Sequence, residues 1–174
     1  MISPTLSAKL LELPLTAFPA GPPAPAPVIT PLVAPASSIE LTTVAAPGAG
    51  RAALTTPGAD GAPGRANPNL SSAIRVGPWL FLSGMLGVLP GTAQDPAGQT
   101  AETLNRLERT MKTAGFGWPD VAESVVYVTD MSAAPEVLRV LSARTSGKMP
   151  PGTLVGTGLV SPEGRVEIML NAIK

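Results

Sequence analysis

"SSAIRVGPWLFLSG", residues 71–84, sets the architecture of the chain. Two short runs of β-branched and large apolar residues flank Gly77 and Pro78, so the stretch reads as two strands joined by a tight turn. Trp79 and Phe81 alternate onto one face and are expected in the core. Downstream, residues 85–99 read as a loop. "TAETLNRLERTMKTAG" (100–115) predicts a helix. Thr100 is its expected N-cap, Glu102 lies in its first turn and Gly115 closes its end. Leu104, Leu107, Met111 and Ala114 form one apolar stripe on it.

"ESVVYVTDM" (123–131) is rich in β-branched residues and predicts a buried strand. "APEVLRVLSARTSG" (134–147) predicts a second helix, with Pro135 in its first turn and Val137, Leu138 and Leu141 facing the core. Residues 153–158 and 165–172 are two final strands. With "RAALTTPGA" (51–59) supplying a first strand, the order is βββ-α-β-α-ββ, an α+β arrangement of one sheet covered by helices.

The chemistry open to the chain is narrow. Its 174 residues contain no Cys and no His, which removes disulfides, thiolate nucleophiles, imidazole bases and the usual zinc ligands. Lys plus Arg equals Asp plus Glu at 12 each, so no net field gathers nucleic acid or an anionic membrane. No apolar run reaches the roughly 18 residues a membrane span needs. The leader-like start is broken by Glu12 and Pro14 and carries only Lys9 as an early cation. The expectation is a cytoplasmic protein with no cofactor or metal, no membrane and no nucleic-acid partner.

Four blocks, "AIRVGPWLFLSGMLG" (73–87), "QTAETLNRLERTMKTAG" (99–115), "DVAESVVYVTDM" (120–131) and "PPGTLVGTGLVSPEGRVEI" (150–168), together resemble the Rid (YjgF, reactive intermediate deaminase) family over about residues 52–174. The resemblance implies a chorismate-mutase-like α+β fold, a mixed sheet with two helices on one face. It also implies a homotrimer with small-molecule sites between subunits, and hydrolysis of enamines and imines released by pyridoxal-phosphate enzymes. Carried over position by position, the family's water-orienting glutamate falls on Glu167 and its Ser-Gly turn on Ser83 and Gly84. The arginine that holds a substrate carboxylate does not carry over. Pro150, Pro151, Gly152 and Thr153 occupy that stretch, so Gly152 stands in the arginine's place and Thr153 beside it. Leu70 and Met85 replace a cleft tyrosine and a glutamine. A paired charge-assisted fork is worth several kcal/mol, so its loss implies weak or altered activity. A non-catalytic, metabolite-binding or subunit protein of the same fold is the alternative. Arg75 and Arg165 are candidate replacement anchors, although Arg165, two residues from Glu167, also suits a plain ion pair. Glu167 has a structural reading too, as the outward residue between Val166 and Ile168. Restoring Gly152→Arg asks whether only the anchor is gone.

The last block has an echo. Residues 23–45 align without a gap on 150–172 with eight identities, among them Pro23 with Pro150, Val28 with Val155 and Glu40 with Glu167. Pro25 then stands where Gly152 stands. Residues 1–68 also hold 13 of the 21 prolines but only 6 of the 24 charged side chains. The expected organisation is a partial, degenerate tandem repeat over 1–46 (a helix and two strands), a linker at 47–51, and the Rid-like domain at 52–174. Proline in its would-be strand permits only an edge or an irregular extended segment. Lacking a central strand of its own, it either docks on another sheet, its own chain's or a neighbour's, or stays loose.

Overall fold

A computed structural model describes residues 23–29, 44, 46, 50–90 and 95–174. Its strands are β1 (Val28–Ile29), β2 (Ala52–Leu54), β3 (Ala73–Val76), β4 (Trp79–Leu86), β5 (Val121–Val128), β6 (Gly152–Gly156), β7 (Gly158–Leu159) and β8 (Val166–Ile173). Its helices are α1 (Pro96–Thr113) and α2 (Ala134–Arg144). Six strands form one sheet in the order β2-β3-β4-β8-β5-β6, while β1 and β7 pair separately. The mixed sheet with two helices is the fold class expected. The helix and second strand expected within residues 1–46 lie outside the described residues.

The Gly77–Pro78 turn joins β3 to β4, with Val76 opposite Trp79. Gly77 takes φ +54°, which glycine adopts at least cost. The parallel pair β5 and β6 needs a crossover, and α2 provides it. Between β4 and β5 runs β8, antiparallel to both, which places the C-terminal strand at the centre of the sheet.

Both helices cover one face. The expected stripe of α1, Leu104, Leu107, Met111 and Ala114, is buried against Leu82, Ile168 and Leu170 of the sheet. On α2, Val137 and Leu141 are buried and Leu138 is half-buried. Gly115 closes α1 at φ +79°, with its N–H donating to Lys112 O and that of Phe116 donating to Met111 O. Arg144 ties the helices together through Glu108 Oε2 at 2.8 Å and Asn105 Oδ1 at 2.9 Å.

Four expectations change. The first helix starts a turn early, capped by Asp95, whose Oδ1 accepts from Gly98 N at 2.9 Å, with Pro96 pre-set for the first turn. Thr100 is therefore interior and buried, and its Oγ1 donates to Pro96 O at 2.6 Å. The strand read at 153–158 spans 152–156 and breaks at Thr157, whose N–H returns to Val128 O. Trp79 and Phe81 are not core. They are half-buried and stack with centroids 6.0 Å apart on the face away from the helices, because the buried parity of β4 belongs to Leu80 and Leu82.

Gln99, fully buried in the first turns of α1, fastens the loop before β8. Its Nε2 donates to Glu163 O at 2.9 Å and its Oε1 accepts from Arg165 N at 2.8 Å. Gln99→Leu keeps the volume but strands both backbone groups, so an equilibrium urea titration should show a loss of about 2 kcal/mol.

Candidate functional site

Glu167 sits on β8 one residue out of phase with the core positions Val166 and Ile168, so its side chain leaves the sheet on the face opposite the helices. An exposed carboxylate would be ordinary there. Instead Glu167 is 1% exposed, and its Oε1 has no hydrogen-bond partner among the described residues. Burial pushes its carboxyl up from 4.5 to about 7. Near neutral pH it therefore holds or releases a proton with little bias, which is what a general acid-base group needs.

The carboxyl is set against Gly84. A register shift in β4 between Leu82 and Met85 leaves Ser83 and Gly84 as an irregular step beside β8. A Cβ built on Gly84 would overlap the Glu167 carboxylate and lie 2.8 Å from Ala26 Cβ. A side chain there would have to displace the Glu167 carboxylate and Ala26. Ser83 is buried and its Oγ donates to Ser71 O at 2.5 Å, which fixes the step. Across the sheet Tyr127 faces Glu167. Burial first, then the Glu167 and Glu123 carboxylates, raise the Tyr127 phenol above its usual value. Its place beside Glu167 was readable only as the alternation of "VVYVTD".

The remaining candidates do not join this group within one chain. Glu167 is in register with Tyr127 of β5, and Tyr127 with Val155 of β6. Gly152 and Thr153 are thus two strands over and two to three residues along, roughly 12–14 Å away. Thr153 is exposed. A Cβ on Gly152 would overlap the hydroxyl and backbone carbonyl of Ser124 on the neighbouring strand. Gly152→Arg therefore does not simply reinstate an anchor. It should cost about 1–2 kcal/mol in a thermal melt and leave any hydrolysis of an anionic substrate unimproved.

Neither replacement arginine reaches Glu167. Arg75 lies on the helix side, its Nη1 3.5 Å from Ala114 O and its guanidinium 5.9 Å from the Phe116 ring. Arg165 donates to Pro162 O and Gly164 O at 3.4 and 3.3 Å, so the expected pair with Glu167 is absent. Two arginines not singled out from the sequence do line a cleft of about 510 Å³ together with Leu70, Ser72, Ser83 and Gly84: Arg106 and Arg109. Both are committed. Arg106 holds Glu102 at 2.9 Å and the carbonyls of Leu86 and Val88, and Arg109 holds Pro57 O and Glu102. Burial raises the Glu102 carboxyl, but its hydrogen bonds from Arg106, Asn105 and Arg109 outweigh that and hold it low. The cluster fastens loops to α1. Their spacing from Glu102, i+4 and i+7, was the only available signal.

The chain's own N-terminal segment passes over the site. Pro25 O accepts from Gly84 N at 2.9 Å, Pro23 O accepts from Ser71 N at 2.8 Å, and β1 pairs antiparallel with β7. Among the described residues no cluster of three or more His, Cys, Asp or Glu could hold a metal. No helix among them is long and apolar enough to cross a membrane.

Comparison with known proteins gives a consistent likeness. A sequence profile of the family described as endoribonuclease L-PSP matches residues 62–174. A RutC family protein of Sulfurisphaera tokodaii is 29% identical over 102 residues, covering 56% of this chain and 82% of that protein. A YjgF/YER057c/UK114 family member from Mycobacterium tuberculosis has 30% identity and a TM-score of 0.58, covering 72% of this chain and all of the other. RidA from an Antarctic Psychrobacter has 26% identity and a TM-score of 0.58, covering 69% and 99% of the two chains.

Proposed function

The chain belongs to the endoribonuclease L-PSP family, the Rid/YjgF proteins, and on that premise we propose that it hydrolyses small imines or enamines, with Glu167 moving the proton. The observation that carries this reading is the buried Glu167 carboxyl, with Oε1 unpartnered against Gly84 and its titration near neutrality. Water oxygen adds to the iminium carbon while the C=N π pair moves onto nitrogen, and ionised Glu167 takes the water's proton. That proton passes to the carbinolamine nitrogen. Ammonia then leaves as the C=O bond closes, and the hydroxyl proton ends on it as ammonium. The Gly84 N–H, at the Ser83–Gly84 step, is the donor placed where charge moves.

Gly152 and Thr153 stand too far from Glu167 in the same chain to share its substrate. A substrate-binding role for them requires a neighbouring copy, in keeping with a homotrimer and sites between subunits. Sedimentation at micromolar concentration should return about three times the chain mass. The substrate would depend less on a carboxylate than the family's usual ones, because the arginine position is filled by a glycine packed on Ser124. That same packing favours the second reading, a non-catalytic binding or subunit protein. RNA cleavage has less support, since a chain with balanced charge gathers no phosphate backbone.

Keto-acid release from a pyridoxal-phosphate dehydratase and its amino acid separates the two. Acceleration by the protein, lost in Glu167→Gln, supports hydrolysis; equal rates with and without the protein leave the binding reading.

A further inference from the structure

We propose that Pro23–Ile29 is an internal occupant of the Glu167 face, a strap that takes the place of substrate at the Gly84 N–H and must leave before the site can work. The segment suits that task residue by residue. Prolines at 23, 25 and 27 offer no N–H and force their predecessors into extended backbone. Carbonyls two residues apart point the same way in an extended chain, and those of Pro23 and Pro25 accept from Ser71 and Gly84. Ala26, which follows Pro25, is small enough to lie against Gly84 beside the Glu167 carboxylate. Val28 and Ile29 then anchor the strap by pairing with Leu159 and Gly158.

The strap brings nothing that a catalytic partner would bring. It has no cationic or hydroxyl side chain, and the residue aligned with the family's carboxylate anchor is Pro25. Its carbonyl satisfies the donor that the proposed mechanism reserves for substrate, and Glu167 beneath is 1% exposed. The unpartnered Oε1 is an independent sign of a site built for another group. The alignment of 23–29 on 150–156 explains the fit. A segment that echoes one of the chain's own sheet strands retains the extended shape to dock on a sheet while its prolines stop it from joining as a full strand. Occupancy in one chain is favoured over a free peptide by the covalent tether.

The inference rests on the proposed hydrolysis only for its kinetic consequence, so the test reads occupancy and activity separately in the full-length protein. Ala26→Gln puts a longer side chain where Ala26 already meets Gly84 and Glu167. Amide exchange at Ser71 and Gly84 is followed beside keto-acid release in the dehydratase assay. Both amides should exchange at least about tenfold faster in the variant, with hydrolysis rising about as much. Faster exchange with no hydrolysis in either protein leaves the strap as occupant and removes the proposed activity instead. Amides as open in the wild type as in the variant overturn the proposal, as does measurable hydrolysis that stays constant while both amides open. If the variant keeps both amides protected, a site-specific cut introduced between residues 46 and 50, followed by dilution, releases residues 1–46. Loss of protection then supports the strap, and protection that survives its removal overturns it.

Discussion

Glu167→Gln is expected to lower imine hydrolysis by about 100-fold or more and, above pH 7, to make the protein more stable. The catalytic loss follows from removing the proton carrier, which is worth about 10²–10⁴ in general acid-base steps. The stability gain follows from linkage. Burial raises the folded carboxyl from 4.5 to about 7, so between these values the unfolded chain has released a proton that the folded chain still holds. Stability contributed by the neutral carboxyl is complete below about pH 4.5, declines as pH rises through 7 and is flat beyond. The full span is about 3 kcal/mol. Glutamine cannot ionise and removes that decline. Urea titrations of both proteins from pH 4.5 to 8.5 should show curves that nearly meet at the acid end and separate toward neutrality. Parallel curves would mean that Glu167 ionises as freely folded as unfolded.

Gly87→Ala should cost about 3 kcal/mol, near the top of the range for overpacking. Gly87 follows β4, and a Cβ there would overlap Gln99 O and approach Thr103 N, backbone atoms of α1 that cannot swing aside. Either α1 lifts from the sheet or its first turns distort. Gln99, which holds the segment leading into Glu167 through Arg165 N, moves with it. Gly117→Ala is the matched control. Its φ is −149°, and the nearest group to its Cβ is Pro119 Cδ at 3.6 Å. Guanidine denaturation should separate the two variants by more than 2 kcal/mol. Similar midpoints would show that α1 yields easily.

The parts of the fold legible from residues alone were those with a strong period. Leu104, Leu107, Met111 and Ala114 are buried because three- and four-residue spacing leaves a helix one apolar stripe. The start of the same helix was obscured because "PAGQ" has loop composition, and only the Asp95 cap with Pro96 in the first turn makes it helical. Trp79 and Phe81 misled because aromatic bulk resembles core, whereas strand parity gave the helix side to Leu80 and Leu82. The site was half legible. Resemblance points to Glu167, Ser83 and Gly84 as candidates, but the burial of Glu167 depends on contacts from segments distant in sequence. The echo at 23–45 leaves open whether the N-terminal segment docks on a sheet or stays loose, and it does not indicate which sheet. In sequence Gly152 is only a missing side chain; its contact with Ser124 comes from the β5–β6 pairing, which composition does not reveal.

The seating of Gly152 against Ser124 bears on what the position can become. A glycine that merely lacks a side chain can acquire one by a single codon change. Here the neighbouring strand lies where a Cβ would go, so any side chain at 152 is strained unless β5 yields at Ser124 as well. The two changes would have to arrive together, which makes positions 124 and 152 free to vary only in concert.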